Sequence, residues 1–262
     1  MIDRWFPIIR IPMTLRRFHQ LPRNPAYRYD YLNGKAILSG RPRCYGARLN
    51  LRRSEGGPPP EVEVQGERAV FRRLEENDWS DLAQVFASGF RQVQPFASLS
   101  DRRRLEAARD GLQSAREGED GPIIHAACHV ARIEGKERPI GACLVTLVPP
   151  VDLEDAWSLR WKTPPPVDAV ERRLGHPHLT WIFVSHPLTG FGIGSALLTH
   201  ATEGLLDLGY SQLASSFLEG NDSSTLWHWR NGFELLPYIG SKRRFREVLQ
   251  RLESQMFDPD EP

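Results

Sequence analysis
Cysteine is scarce, three in 262 residues. So small and odd a number excludes a disulfide-stapled scaffold and fits free thiols in a cytoplasmic setting. Long apolar runs are missing too. Nothing approaches the roughly 18–20 residues that span a bilayer. The opening MIDRWFPIIRIPMTLRR has neither a sustained apolar stretch nor a small-residue cleavage site, so no membrane partner and no secretory leader are expected. Carboxylates are rare in one region only. Residues 1–60 hold 12 Lys/Arg and 3 Asp/Glu, a net of +9, while the other 202 hold 22 and 30, a net of −8. The whole chain carries +1, which points away from a nucleic-acid partner. The basic segment either docks on its acidic remainder or serves as an arm for a polyanion. With 40% hydrophobic and 26% charged residues, a packed core is expected. There are no internal repeats.

The turn-rich stretch SEGGPPP at 54–60 reads as a linker and divides the chain into three parts. These are a basic N-terminal extension (1–60), a main domain (61–240) with an insertion at 149–177, and a C-terminal helix and tail (241–262). Within the extension, Tyr27, Tyr29 and Tyr31 alternate, Asn33-Gly34 follows, then Ala36 and Leu38 alternate. That is a β-hairpin around a type I′ turn. Beyond the linker, a strand is predicted at 69–74. A helix follows from a cap at Asn77 or Asp78 to about Phe90, and a second, capped by Asp101, runs to about Arg116. IIHAACHVARI and PIGACLVTLV, joined by EGKER, read as a hairpin of two strands. Residues 149–177, with Trp157, Trp161 and several prolines, have no clear period and read as a long loop or lid. Further on come a strand to Val184, a glycine turn, a helix ended by Gly209, a strand at 212–219, an Asn221-capped helix stopped by Gly232, and a last strand. A final helix from Ser241 to about Ser254 closes the chain.

The glycines at 190, 192 and 194 let main chain approach a ligand and aim successive N–H groups at it. The helix that starts there adds its positive end. Together they form an anion site suited to a diphosphate, although three alternate glycines also make a tight strand-to-helix turn. The spacing is not that of a dinucleotide fingerprint, and Ser195 follows Gly194 with no lysine, so it is not a Walker A loop.

VSHPLTGFGIGSALL, with Val184, Gly192 and Gly194, and NDSSTLWHWRNGFEL, with Asn221 and Gly232-Phe233, resemble two motifs of the GNAT superfamily, the acetyl-CoA-dependent N-acyltransferases. The resemblance covers about residues 62–240. It implies an α/β fold with a mixed, mostly antiparallel sheet flanked by helices, here with an N-terminal β-hairpin extension. It also implies acetyl transfer from coenzyme A to a primary amine by direct attack in a ternary complex, with no metal. The amine acceptor is not identified, and a homodimer is left open. The cofactor-binding set would be Phe183, Val184, Thr189, Gly190, Phe191, Gly192, Ile193, Gly194, Ser195 and Asn221. Two strands, 178–185 and 212–218, would splay to hold the pantetheine arm. The family's usual seventh strand is not evident after Ile239, so its place falls to the N-terminal hairpin, a neighbouring chain, or nothing.

Two departures stand out. Thr189 replaces the usual Arg or Gln of the glycine turn. His228 replaces the tyrosine with which many members protonate the departing thiolate, a role an imidazolium can fill. The carboxylate base usual on the motif strand is absent, leaving His178, His186 or Glu219 as base, or a water chain. Each residue also has a structural reading: His228, between Trp227 and Trp229, as packing; Asn221 as a helix cap; Trp181, Phe183 and Phe217 as core; Cys128 and Cys143 as buried thiols. The alternative function is a catalytically silent domain that binds acyl-CoA or a protein.

Overall fold
The computed structural model describes residues 8–23, 27–40, 44–53, 61–150, 161–218 and 221–236. The linker at 54–60, Trp157, Glu219 and the expected helix at 241–254 lie outside them.

The N-terminal segment begins with β1 (Ile9–Pro12), α1 (Leu15–His19), β2 (Tyr27–Leu32) and β3 (Lys35–Gly40). They form a three-stranded antiparallel sheet in the order β1-β3-β2. The expected turn is present: Asn33 and Gly34 sit at φ 49° and 71°, which suits the right-handed strand twist. Period 2 puts Tyr29, Tyr31 and Ala36 on one face, where Phe18 of α1 meets Tyr31 at 5.3 Å between ring centroids.

The next strand, β4 (Cys44–Asn50), leaves this small sheet for the main one. The others there are β5 (Val62–Val64), β6 (Glu67–Arg73), β7 (His129–Ile133), β8 (Pro139–Val148), β9 (His176–Val184), β10 (Gln212–Leu218) and β11 (Glu234–Leu236). Their order is β11-β4-β10-β9-β8-β7-β6-β5. Every pair is antiparallel except β9 with β10. The extension is therefore not only an appendage. Its last strand fills the place in the sheet for which the sequence offered no strand after Ile239.

Helices α2 (Trp79–Gly89) and α3 (Asp101–Arg116) cover one face, α4 (Ile193–Asp207) the other, and α5 (Asp222–Arg230) packs beside β10 and β11. Neighbouring residues of β9 show the division. Phe183 meets Phe86 of α2 edge-on at 5.1 Å, while Val184 turns with Gly141 toward Ile193 of α4. The core between the layers is built from Leu82, Phe86, Leu112, Val130, Leu144, Leu197 and Leu205, among others. A buried carboxylate ties the α2 end down. Asp78 accepts from Arg72 at 2.7 and 2.8 Å, from Arg132 at 2.5 Å and from the Glu75 amide at 2.8 Å. Burial pushes its pKa up, but these donors outweigh that and hold it below the usual carboxylate range.

Some boundaries differ from expectation. Ser100, not Asp101, caps α3, its hydroxyl accepting from the Arg103 amide; Asp101 instead pairs with Arg104 at 2.8 Å. Residues 125–127 form a single 3-10 turn rather than the start of a strand. The described part of the insertion is a run of turns, anchored where the Trp161 indole donates to the Leu147 carbonyl at 2.8 Å; β9 already begins at His176. No described helix is long and apolar enough to cross a membrane.

Candidate active site
The parallel pair β9 and β10 is joined only at Ala214–His178 and Ser215–Leu179. Beyond these two rungs the strands part, each held by its outer neighbour. β9 stays paired to β8 as far as Val184, and β10 to β4 over its whole length. The cause is local. Opposite Leu144 and Val145, the register of β9 jumps from Trp181 to Leu179, so Thr180 is a bulged residue, and a bulge bends its strand. The splay expected between these segments is thus present.

The glycine turn stands at the open end. After a 3-10 turn over His186–Leu188, Gly190 takes φ 91° and Gly192 φ 85°, left-handed conformations that disfavour a side chain. A Cβ added at either would meet nothing within 4 Å, so backbone geometry alone selects glycine there. Gly194 differs: a Cβ there would lie 3.1 Å from Nε1 of Trp227, so this glycine admits the α5 indole against α4. Among the described residues, no acceptor faces the amides of Gly190, Phe191, Gly192, Ile193, Gly194 or Ser195; the first paired amide is Ala196, to the Gly192 carbonyl at 3.0 Å. Four such orphans, Gly192 to Ser195, are normal for a helix start. The other two, Gly190 and Phe191, come from the turn, so six successive N–H groups are left for an outside acceptor. No side chain caps α4. Thr189 spends its hydroxyl on the His186 carbonyl at 2.8 Å.

Phe183 and Val184 end β9 beside this turn. Phe183 is buried among Phe86 and Phe90. The Val184 carbonyl is approached closely by Gly89, where a Cβ would lie 2.6 Å from it. Phe191 is exposed at 42%. Asn221 caps α5 by accepting from the Ser224 amide at 3.1 Å, as the structural reading had it.

His228 is buried on α5, stacked on Phe217 at 4.4 Å and edge-on to Trp227 and Phe233. Its Nδ1 lies 2.7 Å from the Ser224 carbonyl. A carbonyl only accepts, so Nδ1 carries the hydrogen and Nε2 accepts from the Ser215 hydroxyl at 2.8 Å. Burial lowers its pKa to about 4. Expected as a proton donor, His228 is placed here as a neutral acceptor. His178 lies on the opposite face of β10, with Nε2 at 3.1 Å from Ser216 Oγ and Nδ1 at 3.3 Å from Thr180 Oγ1. Burial, then the nearby His228, lowers its pKa to about 4. His186 lies in the 3-10 turn, its amide donating to Ser88 Oγ at 3.1 Å.

A further neighbour of the site has no local signal in the sequence. Tyr27 of β2 donates to Gln94 at 2.7 Å and lies 3.0 Å from Ser98 Oγ, pinning the N-terminal sheet to the α2–α3 loop across 67 and 71 residues of chain. Phe90 and Phe96 of that loop join Phe86, Trp181 and Phe183 in one aromatic cluster. Cys44, Cys128 and Cys143 are free thiols, the last two buried, and among the described residues no three His, Cys, Asp or Glu stand close enough to hold a metal ion.

No family model and no curated protein matches the chain. Solved structures with a similar arrangement include a GCN5-related N-acetyltransferase from Sphaerobacter thermophilus, 16% identical over 84% of this chain and 52% of the other, TM-score 0.43. Another is the PaiA N-acetyltransferase of Thermoplasma acidophilum in complex with coenzyme A, 13% identical over 63% and 89%, TM-score 0.42. A third is a GNAT-family acetyltransferase from Brucella melitensis in complex with acetyl-CoA, 21% identical over 54% and 68%, TM-score 0.32. The chain spans about half the length of the Sphaerobacter protein.

Proposed function
We propose that this chain is a GNAT-type N-acyltransferase that moves an acetyl group from coenzyme A to a primary amine by direct attack. One observation carries the reading: two parallel strands part beyond a bulge, and at their open end six main-chain N–H groups have no acceptor among the described residues. A diphosphate on the amides of Gly190–Ser195 would receive charge-assisted hydrogen bonds and the positive end of α4. An extended thiol arm would complete the hydrogen bonding of the strand edges that Thr180–Val184 and Ser216–Leu218 leave toward each other. The acceptor amine would enter from the α2–α3 side, under the loop that Tyr27 holds. The three free thiols accord with a cytoplasmic location. Calorimetry with acetyl-CoA, followed by thiol release in the presence of a panel of primary amines, tests the reading. Binding with amine-dependent release is expected, and absence of binding overturns it.

The placement of His228 favours a second reading. A buried neutral imidazole that accepts from Ser215 is a packing element, as in a domain that binds acyl-CoA without turning it over. Thiol release by the wild type with the amine panel separates the two, and in an active chain His228→Phe tests the residue. Turnover reduced about 100-fold with acetyl-CoA affinity retained assigns proton donation to His228. Equal turnover removes it from the mechanism.

A further inference from the structure
A chain of hydroxyls behind His178 fixes which of its nitrogens carries the hydrogen. Thr146 Oγ1 donates to the Asp120 carbonyl at 2.8 Å, and its single hydrogen is thereby used. Toward Thr180 Oγ1, 2.8 Å away, Thr146 therefore accepts. The Thr180 hydrogen goes to Thr146, or to the His178 carbonyl at 3.2 Å. In either case Thr180 has only lone pairs left for the His178 ring. Nδ1, 3.3 Å from Thr180 Oγ1, is thus the protonated nitrogen, and the Nε2 lone pair faces Ser216 Oγ at 3.1 Å. Ser216 shares its face of β10 with Leu218. Leu218 packs on Tyr27, which holds the α2–α3 loop. The free lone pair is therefore aimed, through one hydroxyl, at the acceptor side of the place where β9 and β10 part.

We infer that His178 is the base for the acceptor amine, acting through the Ser216 hydroxyl, and that Thr180 and Thr146 are positioning residues that fix its tautomer. This rests on the transfer reaction proposed above. The amine lone pair forms the new C–N bond at the thioester carbonyl carbon. An amine proton passes to Ser216 Oγ as the serine hydrogen passes to Nε2. The C–S bond then breaks with its electron pair on sulfur. The imidazolium returns the proton to the thiolate through Ser216, leaving amide, thiol and neutral histidine. The groups facing His178 are the hydroxyls of Thr180 on β9, Thr146 on β8 and Ser216 on β10. His228, behind β10, is the titratable neighbour whose charge acts on it.

The tautomer can be read without any ligand. Long-range proton–nitrogen NMR on the full chain should show His178 protonated at Nδ1, and Thr146→Val should shift it toward Nε2. Protonation at Nε2 in the wild type overturns the assignment. With acetyl-CoA and the primary-amine panel, His178→Gln should keep coenzyme affinity within about threefold and lower thiol release about 100-fold, the scale of general base catalysis. It should also remove the acid limb of the pH profile. Thiol release within twofold of wild type overturns the proposal. Should His178→Gln fail to fold, Ser216→Ala takes its place, with the same loss expected and the same overturning result. A wild type that binds acetyl-CoA but releases no thiol with any amine removes the base assignment and leaves coenzyme binding standing. A wild type that does not bind acetyl-CoA removes the parent reading.

Discussion

Ser195, the third residue of α4, offers a test of the proposed anion site that glycine substitutions cannot. Any replacement at Gly190 or Gly192 strains a left-handed residue and confuses lost folding with lost binding. A carboxylate in the first turn of a helix favours the helix, because it faces the positive end of the dipole, yet it repels a diphosphate on the same amides. Ser195→Asp is therefore expected to leave the melting temperature unchanged or raised while weakening acetyl-CoA binding at least about tenfold, or ~1.4 kcal/mol. Calorimetry beside a thermal melt checks both halves. Undiminished affinity would place the diphosphate elsewhere. Gly194 needs no ligand to explain it, since Trp227 occupies the space its missing side chain leaves.

Most elements from residue 69 to 236 were legible in the sequence because each carries its own period and punctuation. Asp101 to Arg116 is helical as expected, and Asn221 caps α5. The splay was legible only through the motif resemblance. Its cause, the bulge at Thr180, is a register property of two strands and leaves no mark on one of them. β4 was not legible either. CYGARLN is short, lies against Pro- and Gly-rich sequence, and becomes a strand only because β10 and β11 present edges on both sides of it. The hydroxyl chain behind His178 was hidden for the same reason, its members coming from three separate segments. The position of β4 has a direct consequence for truncation. Removing residues 1–53 deletes a strand paired on both sides, not a detachable arm. Such a chain is expected to lose its cooperative thermal transition by circular dichroism. A fully cooperative melt would show that β4 is dispensable.

For the molecule as a whole, pH is the sharpest lever. His129, His178 and His228 are each held neutral by burial, with pKa values of about 4 against an ordinary 6.5. Between those values the unfolded chain binds protons that the folded chain refuses, so stability is full above about pH 6.5 and falls as the pH drops toward 4. Each group contributes a slope of up to ~1.4 kcal/mol per pH unit. Asp78, with its pKa held down, adds a further loss at still lower pH. Urea melts at pH 7, 6 and 5 should show a steadily falling midpoint, and a constant midpoint would contradict the buried neutral state of these rings. The uneven charge of the chain is partly resolved within the fold. Arg48 meets Glu234 at 2.6 Å and Arg53 meets Asp207 at 2.7 Å, exposed pairs of small individual worth that join the basic segment to the acidic domain.

Because β4 is seated between β10 and β11, the sheet is threaded out of chain order. Asn50 leaves the ribosome long before Gln212, its partner across the sheet, and at 5–20 residues per second the wait is on the order of ten seconds. Until then, the strand seated between β10 and β11 has nothing to pair with, and the small N-terminal sheet has no Leu218 to rest on. The nascent chain must carry an open seam through most of its synthesis. A fold with such distant pairings is expected to refold slowly, with the opening between β9 and β10 the last part of the molecule to take shape.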